Sequence, residues 1–410
     1  MTTRAQPLAD APKLHLPLGL LALLAGMTAF APLSIDMYLP ALPSMARDLA
    51  APAGMGALTV AAFYVGLCLG QLVHGPLSDR LGRRPPLIAG IALYVVASIG
   101  AAVSGAVGLL IVMRFLQALG GCAGMVIGRA VVRDRFTPDE SAHVFSILLL
   151  VMSLAPVLAP LLGSYVLLIA SWRAIFWILT GFGALLWVGT LVGLKESRSA
   201  AAAAHARGES AFRSYATLLR EPQVMGYALL AGCSHMGLLT YLAVTPDVLI
   251  GGFGLSARQF GWTVAVNGIG LVAANFLNRR LLRRRRYDFI LRRANLISIL
   301  ASAALFVDAF FALGGLPGIL VPLFFIVGLI GFTQPNAFAG ALAHDPRRAG
   351  AASALVGCLQ FGAGALGATI ASAFHDGTAR PMAAVIFAAY LVGGALLYLL
   401  IPPERRTSAA

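Results

Sequence analysis

The chain is predicted to be an all-α membrane protein with twelve transmembrane helices in two six-helix halves. Three observations predict this. The first is composition: 59% of the 410 residues are hydrophobic and only 11% are charged, against roughly 25% charged in a soluble domain. The second is that the apolar residues form continuous runs, each near the roughly 20 residues needed to cross a bilayer. The third is a single long polar interruption near the middle. In hydrocarbon a spanning segment must satisfy its own backbone, so each run is expected to be a helix. A β-barrel is excluded because its strands would alternate polar and apolar residues. The mean hydropathy, +0.85, agrees.

The runs fall at approximately 17–41, 54–76, 86–104, 107–130, 142–169, 172–193, 223–246, 257–279, 289–312, 316–341, 350–374 and 381–401. The polar start, Met1 to His15, is followed by no small-residue cleavage pattern, so the first run is expected to be retained as span 1. The interruption separates six spans from six, as in transporters built from parallel repeats. The expected organisation is a first bundle over 1–194, a linker over 195–221 and a second bundle over 222–410. Net charge is +14. The basic residues sit in short clusters between apolar runs, which is a topology signal and not a nucleic-acid surface. With both termini cytoplasmic, about 25 Lys and Arg lie inside, about 4 outside (Arg47, Arg173, Arg258, Arg380), and Arg114 within a span. The Arg279 to Arg293 cluster reads as a topology anchor, or as a contact for anionic lipid.

Several polar residues stand inside these runs. Asp36 lies in the apolar run S-I-D-M-Y-L-P, with Pro32 and Pro40 one turn to either side. An acid in a membrane helix costs several kcal/mol unless paired or hydrated, so it is a candidate for function; a cap near the outer surface is the alternative. In span 4, Arg114, Gln117, Gly121, Gly124 and Gly128 are spaced 3, 4, 3 and 4, which puts them on one face about 80° wide. Counting from the outer ends, Asp36 is about 7 Å deep and Arg114 about 10 Å. Matching depth predicts that Asp36 and Arg114 pair, each offsetting the other's desolvation; a structural Arg–carbonyl contact is the alternative for Arg114. The last six spans contribute His235, Tyr241, Asn267, Gln334, Asn336 and Gln360, while Asp308 is expected in a loop. Pro335 is expected to free carbonyls within a cavity. The expected substrate cavity is lined by Asp36, Tyr38, Arg114, Gln117, Gly121, His235, Tyr241, Asn267, Asn336 and Gln360. Cys68, Cys122, Cys233 and Cys358 are scattered through apolar runs and read as small buried residues, with no metal-ligand spacing. Neither a Walker loop, nor G-x-S-x-G, nor H-E-x-x-H occurs. An enzyme is not expected, nor a cofactor, and the energy source is expected to be an ion or substrate gradient.

The stretch between spans 2 and 3 reads G-P-L-S-D-R-L-G-R-R-P-P-L. Gly75, Leu77, Asp79, Arg80, Gly82, Arg83 and Arg84 resemble, position by position, the loop between the second and third helices of major facilitator superfamily transporters. R-x-x-Q-x-x-G-G from Arg114 resembles that family's fourth-helix motif, which is associated with proton-coupled members. L-A-P-V-L-A-P-L-L-G-S resembles its antiporter motif, with Pro156, Pro160 and Gly163 in place and Ala155 where the first glycine would stand. Together with D-M-Y-L-P-A-L-P and V-V-R-D, these stretches resemble the drug:proton antiporters of the bicyclomycin-resistance (Bcr/CflA) branch, in detail over residues 30–165. The resemblance implies a major facilitator fold and a multi-pass protein of the bacterial inner membrane. It implies exchange of protons for small amphipathic drugs, by a monomer contacting membrane lipid and no nucleic acid. It also implies a latch at the cytoplasmic side made by Gly75, Asp79, Arg80, Gly82, Arg83 and Asp134, with Asp79 facing the start of span 11. A proton-coupled exporter of one metabolite, such as an amino acid or sugar, and a non-transporting membrane sensor are the other readings.

Overall fold

The structure, a computed structural model, describes residues 18–198, 211–343 and 348–401. The polar N-terminus and part of the expected linker lie outside the described residues. Among the described residues, twelve helices are long and apolar enough to span a membrane: Leu18–Asp48, Met55–Leu81, Arg84–Ala102, Val107–Arg135, Asp139–Ile169, Trp172–Gly193, Pro222–Gly252, Ala257–Leu282, Tyr287–Phe311, Gly315–Ala343, Gly350–Ala373 and Arg380–Leu400. They are spans 1 to 12 below. The end carrying the Gly75–Leu87 stretch is called the basic end and the opposite one the far end.

Local chemistry marks the boundaries. Span 5 opens on T-P-D-E, where Thr137 and Glu140 form a reciprocal capping box, and Ser256 with Gln259 does the same for span 8. Spans 2 and 3 are separated by Gly82 at φ +93°, a conformation glycine adopts without steric cost. Span 1 departs from the expected single helix. Its α-helix ends at Asp36, a short 3-10 turn covers Leu39–Ala41, and α-helix resumes over Leu42–Asp48. Pro40 and Pro43 supply no backbone N–H, so the ladder cannot run through them. Span 7 is likewise irregular at the far end, with a π-helical turn over Asp247–Gly252. Asp308 corrects another expectation. It lies in the last turn of span 9, buried, and accepts the Gly314 N–H at 2.6 Å, so it closes the helix end from within instead of standing in a loop.

Among the first six spans, 2 packs on 4, 3 on 4 and 6, and 1 on 5; among the last six, 7 packs on 11 and 12, 9 on 10 and 12, and 8 on 10. Close approach is local: a Cβ at Gly120 would stand 2.6 Å from the Tyr94 backbone nitrogen. The two sets of six meet through spans 2 and 11 and through spans 5 and 8. At the far end the Ser372 hydroxyl donates to the Gly54 carbonyl at 2.7 Å, joining span 11 to the start of span 2. Deeper, the Tyr64 hydroxyl donates to the Leu239 carbonyl at 3.4 Å, and the Cys68 and Cys358 sulfurs are 3.2 Å apart. At the basic end the seam between spans 2, 4 and 11 widens into a cleft of about 380 Å³. A short helix, Ala211–Leu219, crosses that end. Its Leu218 packs with Val224, Ala352 and Leu355, and its Ser214 and Tyr215 line the cleft.

Candidate functional site

Arg114 is fully enclosed at 0% exposure. Its guanidinium lies over the rings of Phe63 at 4.2 Å, Tyr38 at 4.8 Å and Phe176 at 5.7 Å. Desolvated cation–π contacts reach about 2 kcal/mol, and here they stand where a counter-ion would be expected. One terminal nitrogen donates to Gln117 Oε1 at 2.6 Å; Gln117 Nε2 donates to the Ser98 hydroxyl at 2.8 Å, and Ser98 donates to the Tyr94 carbonyl at 2.7 Å. The Tyr38 and Thr59 hydroxyls share a hydrogen bond of 3.1 Å. Arg114 Nε and its other terminal nitrogen have no hydrogen-bond partner among the described residues. The structure thus sets a buried cation, two of its donors unused, inside an aromatic cage of the first six spans.

Asp36 is 5% exposed and sits where the helix of span 1 breaks. It lines a small cavity of about 80 Å³ between the two sets of six, shared with Pro156, Leu238, Tyr241, Val264 and Asn267. Asn267 Nδ2 donates to the Tyr241 hydroxyl at 2.8 Å. Among the described residues Asp36 and Arg114 form neither an ion pair nor a hydrogen bond. Span 1 does not end near residue 41 but continues past Asp36 to Asp48, so Asp36 lies deeper than expected. Tyr64, absent from the expected set, is fully enclosed and within electrostatic reach of both Asp36 and Arg114. In the sequence it is one more aromatic in an apolar run, with nothing local to distinguish it from core.

Three other polar residues of the last six spans, His235, Gln334 and Gln360, form a separate group. Gln334 Nε2 donates to the Ala231 carbonyl at 3.0 Å and meets His235 Nδ1 at 2.6 Å, and Gln360 Nε2 donates to Gln334 Oε1 at 2.5 Å. An amide N–H only donates, so His235 Nδ1 accepts, and the proton of a neutral ring is on Nε2. Two of the expected cavity residues are in helix packing instead. Gly121 faces the Tyr94 ring and Phe30, and Asn336 donates to Asn278 Oδ1 at 3.0 Å, tying span 10 to span 8. Pro156 and Pro160 sit inside the continuous span 5 helix. A Cβ at Gly163 would collide with the Met37 carbonyl, so this glycine lets span 5 close on the broken part of span 1.

At the basic end Arg83 occupies the centre of a charge network. Its Nε donates to Asp134 at 2.8 Å, and one terminal nitrogen donates to Ser78 at 2.9 Å and to Asp79. Burial works against the charge on Arg83, but the Asp134 and Asp79 carboxylates outweigh it and hold the guanidinium above its ordinary value. Glu196, just after span 6, was not among the expected residues. It accepts the backbone N–H groups of Arg83 at 2.9 Å, Arg84 at 3.1 Å, and Ser197 and Arg198 at 3.0 Å. It therefore supplies the anion that the open N-terminus of span 3 favours. Burial alone would raise its carboxyl; the four N–H donors hold it below the usual range. Arg198 donates to the Asp79 and Arg80 carbonyls at 2.7 and 2.9 Å, closing the end of span 2. A Cβ on Gly82 would lie 2.6 Å from Glu196 Oε2, whereas one on Gly75 would meet open space. Arg80 is exposed. Asp79 lines the 380 Å³ cleft together with Gly350, Ala351 and Ser353 of span 11. Among the described residues no group of three His, Cys, Asp or Glu could hold a metal ion.

The family model of the Major Facilitator Superfamily matches residues 24–368. The chain is 34% identical over 399 residues to the "Uncharacterized MFS-type transporter YdgK" of Bacillus subtilis (strain 168), covering 96% of this chain and 98% of the relative. It is 30% identical to the "Bicyclomycin resistance protein homolog" of Haemophilus influenzae, covering 94% and 95%. Among solved structures, the crystal structure of D-xylose-proton symporter matches with a TM-score of 0.72 at 14% identity, covering 94% of this chain and 97% of that one, which is a likeness of fold.

Proposed function

The chain belongs to the Major Facilitator Superfamily and is a multi-pass membrane transporter, not an enzyme; from that premise we propose that it is a proton-coupled multidrug efflux pump of the bacterial inner membrane. In this reading it works as a monomer with both termini cytoplasmic. The bundles 1–194 and 222–410, joined by the linker 195–221, rock about the central site, exchanging protons for small amphipathic drugs. The observation that carries the reading is Asp36: a carboxylate with no cationic partner among the described residues, lining a cavity walled by both sets of six spans. Enclosing a charge there is costly and enclosing a neutral acid is much less so. A proton taken up on one side therefore changes which closed arrangement is favoured, and its loss on the other resets it. Tyr241 and Asn267, reaching the same cavity from the last six spans, feel that change directly. Tyr64 stands within electrostatic reach of both Asp36 and the fixed positive charge of Arg114. The apolar remainder of the wall suits lipophilic occupants. At the basic end, which is the cytoplasmic side in this reading, the Asp79–Arg83–Asp134 network steadies the state in which that end is closed. Drug resistance in the names of relatives such as the bicyclomycin resistance protein homolog supports the substrate class.

The test uses the purified protein in proteoliposomes containing a pH-sensitive dye. Several chemically unrelated amphipathic drugs are each expected to move protons with wild type, and none with Asp36→Asn, which keeps the shape without the titration. Drug transport without proton movement in wild type would refute the coupling. Proton movement with a single amino acid or sugar and with no drug would favour a metabolite exporter, a reading that the directional His235–Gln334–Gln360 hydrogen bonds also suit.

A further inference from the structure

The cleft at the basic end carries a charge imbalance that the latch does not use. Its lining includes four arginines, Arg83, Arg129, Arg133 and Arg348, and one carboxylate, Asp79. Asp79 is bound to Arg83, which also holds Asp134. Arg129 and Arg133 are left with no acidic partner among the described residues. They stand one turn apart on span 4 and face the same space, an arrangement of like charges that destabilises a helix unless something lies between them. Arg133 is exposed, but Arg129 is about 9 Å in from the end of its helix and mostly enclosed by protein. Its Nε is committed to the Met125 carbonyl at 3.0 Å, which leaves the two terminal nitrogens for the cleft. Across the cleft, span 11 begins with no side-chain cap at its N-cap, Arg348, and the backbone of Gly350 and Ala351 lines the wall. The N–H groups of such a first turn have no partner within their own helix, and they carry the positive end of its dipole. The hydroxyls of Ser78, Ser214, Ser353 and Tyr215 surround the same volume.

We propose that this cleft is a binding site for a phosphate-bearing anion, held by Arg129 and Arg133 on one wall and by the first turn of span 11 on the other. Two guanidinium forks and a row of N–H donors match a phosphate group, which offers several acceptor oxygens and at least one negative charge. The cleft shares no lining residue with the Asp36 cavity, and the site does not depend on the transport reading. A bound anion would connect spans 2 and 4 to span 11 and the Ala211–Leu219 helix. It would therefore strengthen the arrangement in which the two sets of six meet at this end. The phosphate can arrive on a lipid headgroup reaching in from the membrane edge or on a small phosphate ester from solution.

The experiment measures thermal unfolding of the full chain in a zwitterionic detergent, titrated with two probes. One is glycerol 1-phosphate, and the other is a short-chain phosphatidylglycerol, with the matching phosphatidylcholine as control. Wild type is expected to be stabilised in a saturable manner by at least one phosphate probe and not by the phosphatidylcholine. Stabilisation by both identifies the phosphate group itself as sufficient; stabilisation by the lipid alone identifies a headgroup site. Arg133→Gln, which alters an exposed side chain and leaves the fold intact, is expected to weaken the apparent affinity about tenfold, and Arg129→Gln by at least as much. Arg279→Gln, in the basic cluster at the end of span 8, should leave it unchanged. Absence of a saturable shift in wild type overturns the proposal. So does equal affinity in wild type and Arg133→Gln, or an equal loss in Arg279→Gln.

Discussion

The two sets of six spans both bury a polar network, but they build it from different material. In the first six a full charge, Arg114, is wrapped in aromatic faces and steadied by Gln117 and Ser98. In the last six the network is neutral, made of His235, Gln334 and Gln360 linked by short amide hydrogen bonds. The loops repeat the contrast. Between spans 2 and 3, Arg83 is fastened to two carboxylates and Glu196 caps the next helix. Between spans 8 and 9, Arg283, Arg284 and Arg285 are exposed. Charge responds to protonation and to long-range fields, while neutral hydrogen bonds respond to the shape and donor pattern of whatever replaces them. Under the proposed function, this difference fits coupling in the first six spans and substrate discrimination in the last six.

The largest expected effect breaks this division at its strongest point. Arg114→Leu should lower drug efflux by about 100-fold or more, while Gln334→Leu should change it by less than about tenfold and shift which drugs are moved. Efflux rates over a drug panel in a host lacking other pumps measure both. Equal, panel-wide losses would mean that the two networks do the same job. Next is the loop contrast. Arg83→Ala leaves Asp79 and Asp134 without their shared cation and should slow turnover about tenfold; Arg284→Ala should alter it less than twofold, as expected for an exposed surface charge. Distances between spectroscopic labels at the basic ends of spans 4 and 10 should widen in the first variant only. The third contrast sharpens the glycine assignment within one motif. Gly82→Ala forces a side chain into a left-handed conformation and against Glu196, at a cost of about 1–3 kcal/mol. Gly75→Ala, facing open space in a helix, should be neutral or slightly stabilising. Melting temperatures decide it.

The smallest effect concerns pH. The Glu196 carboxyl is held below its ordinary value in the folded protein. The stability it adds is therefore full above the unfolded value and is lost as pH falls through the depressed folded value. Glu196 is exposed, so the contribution is expected to stay under about 1 kcal/mol. Wild type should lose slightly more melting temperature than Glu196→Gln between neutral pH and pH 4, and parallel curves would assign Glu196 no electrostatic role.

What could be read in the sequence follows from how local each signal is. The twelve spans were legible because each carries its own apolar run, and their helical ends differ from the runs mostly by charged first and last turns. Gly82 was legible as one position of the loop pattern that resembles the family's. Glu196 was not, because it acts on residues more than a hundred positions away; the one hint was an acid in K-E-S-R, directly after a span and opposite in sign to its surroundings. The aromatic cage of Arg114 escaped for a similar reason. Tyr38 was expected beside Arg114 in the cavity, but Phe63 and Phe176, from two other spans, look like ordinary core residues until folding stacks all three on one cation. Counting along straight helices sets Asp36 and Arg114 at matching depth, and the proline break in span 1 defeats such counting.

The Cys68 and Cys358 sulfurs, 3.2 Å apart on spans 2 and 11, make the molecule its own ruler. They belong to different sets of six, so any rocking motion that separates spans 2 and 11 at that depth must pull them apart. A thiol-bridging reagent can join them only while the seam is closed. The initial rate of that bridging, read with and without drug, would follow the population in which the seam is shut, in protein with no mutation.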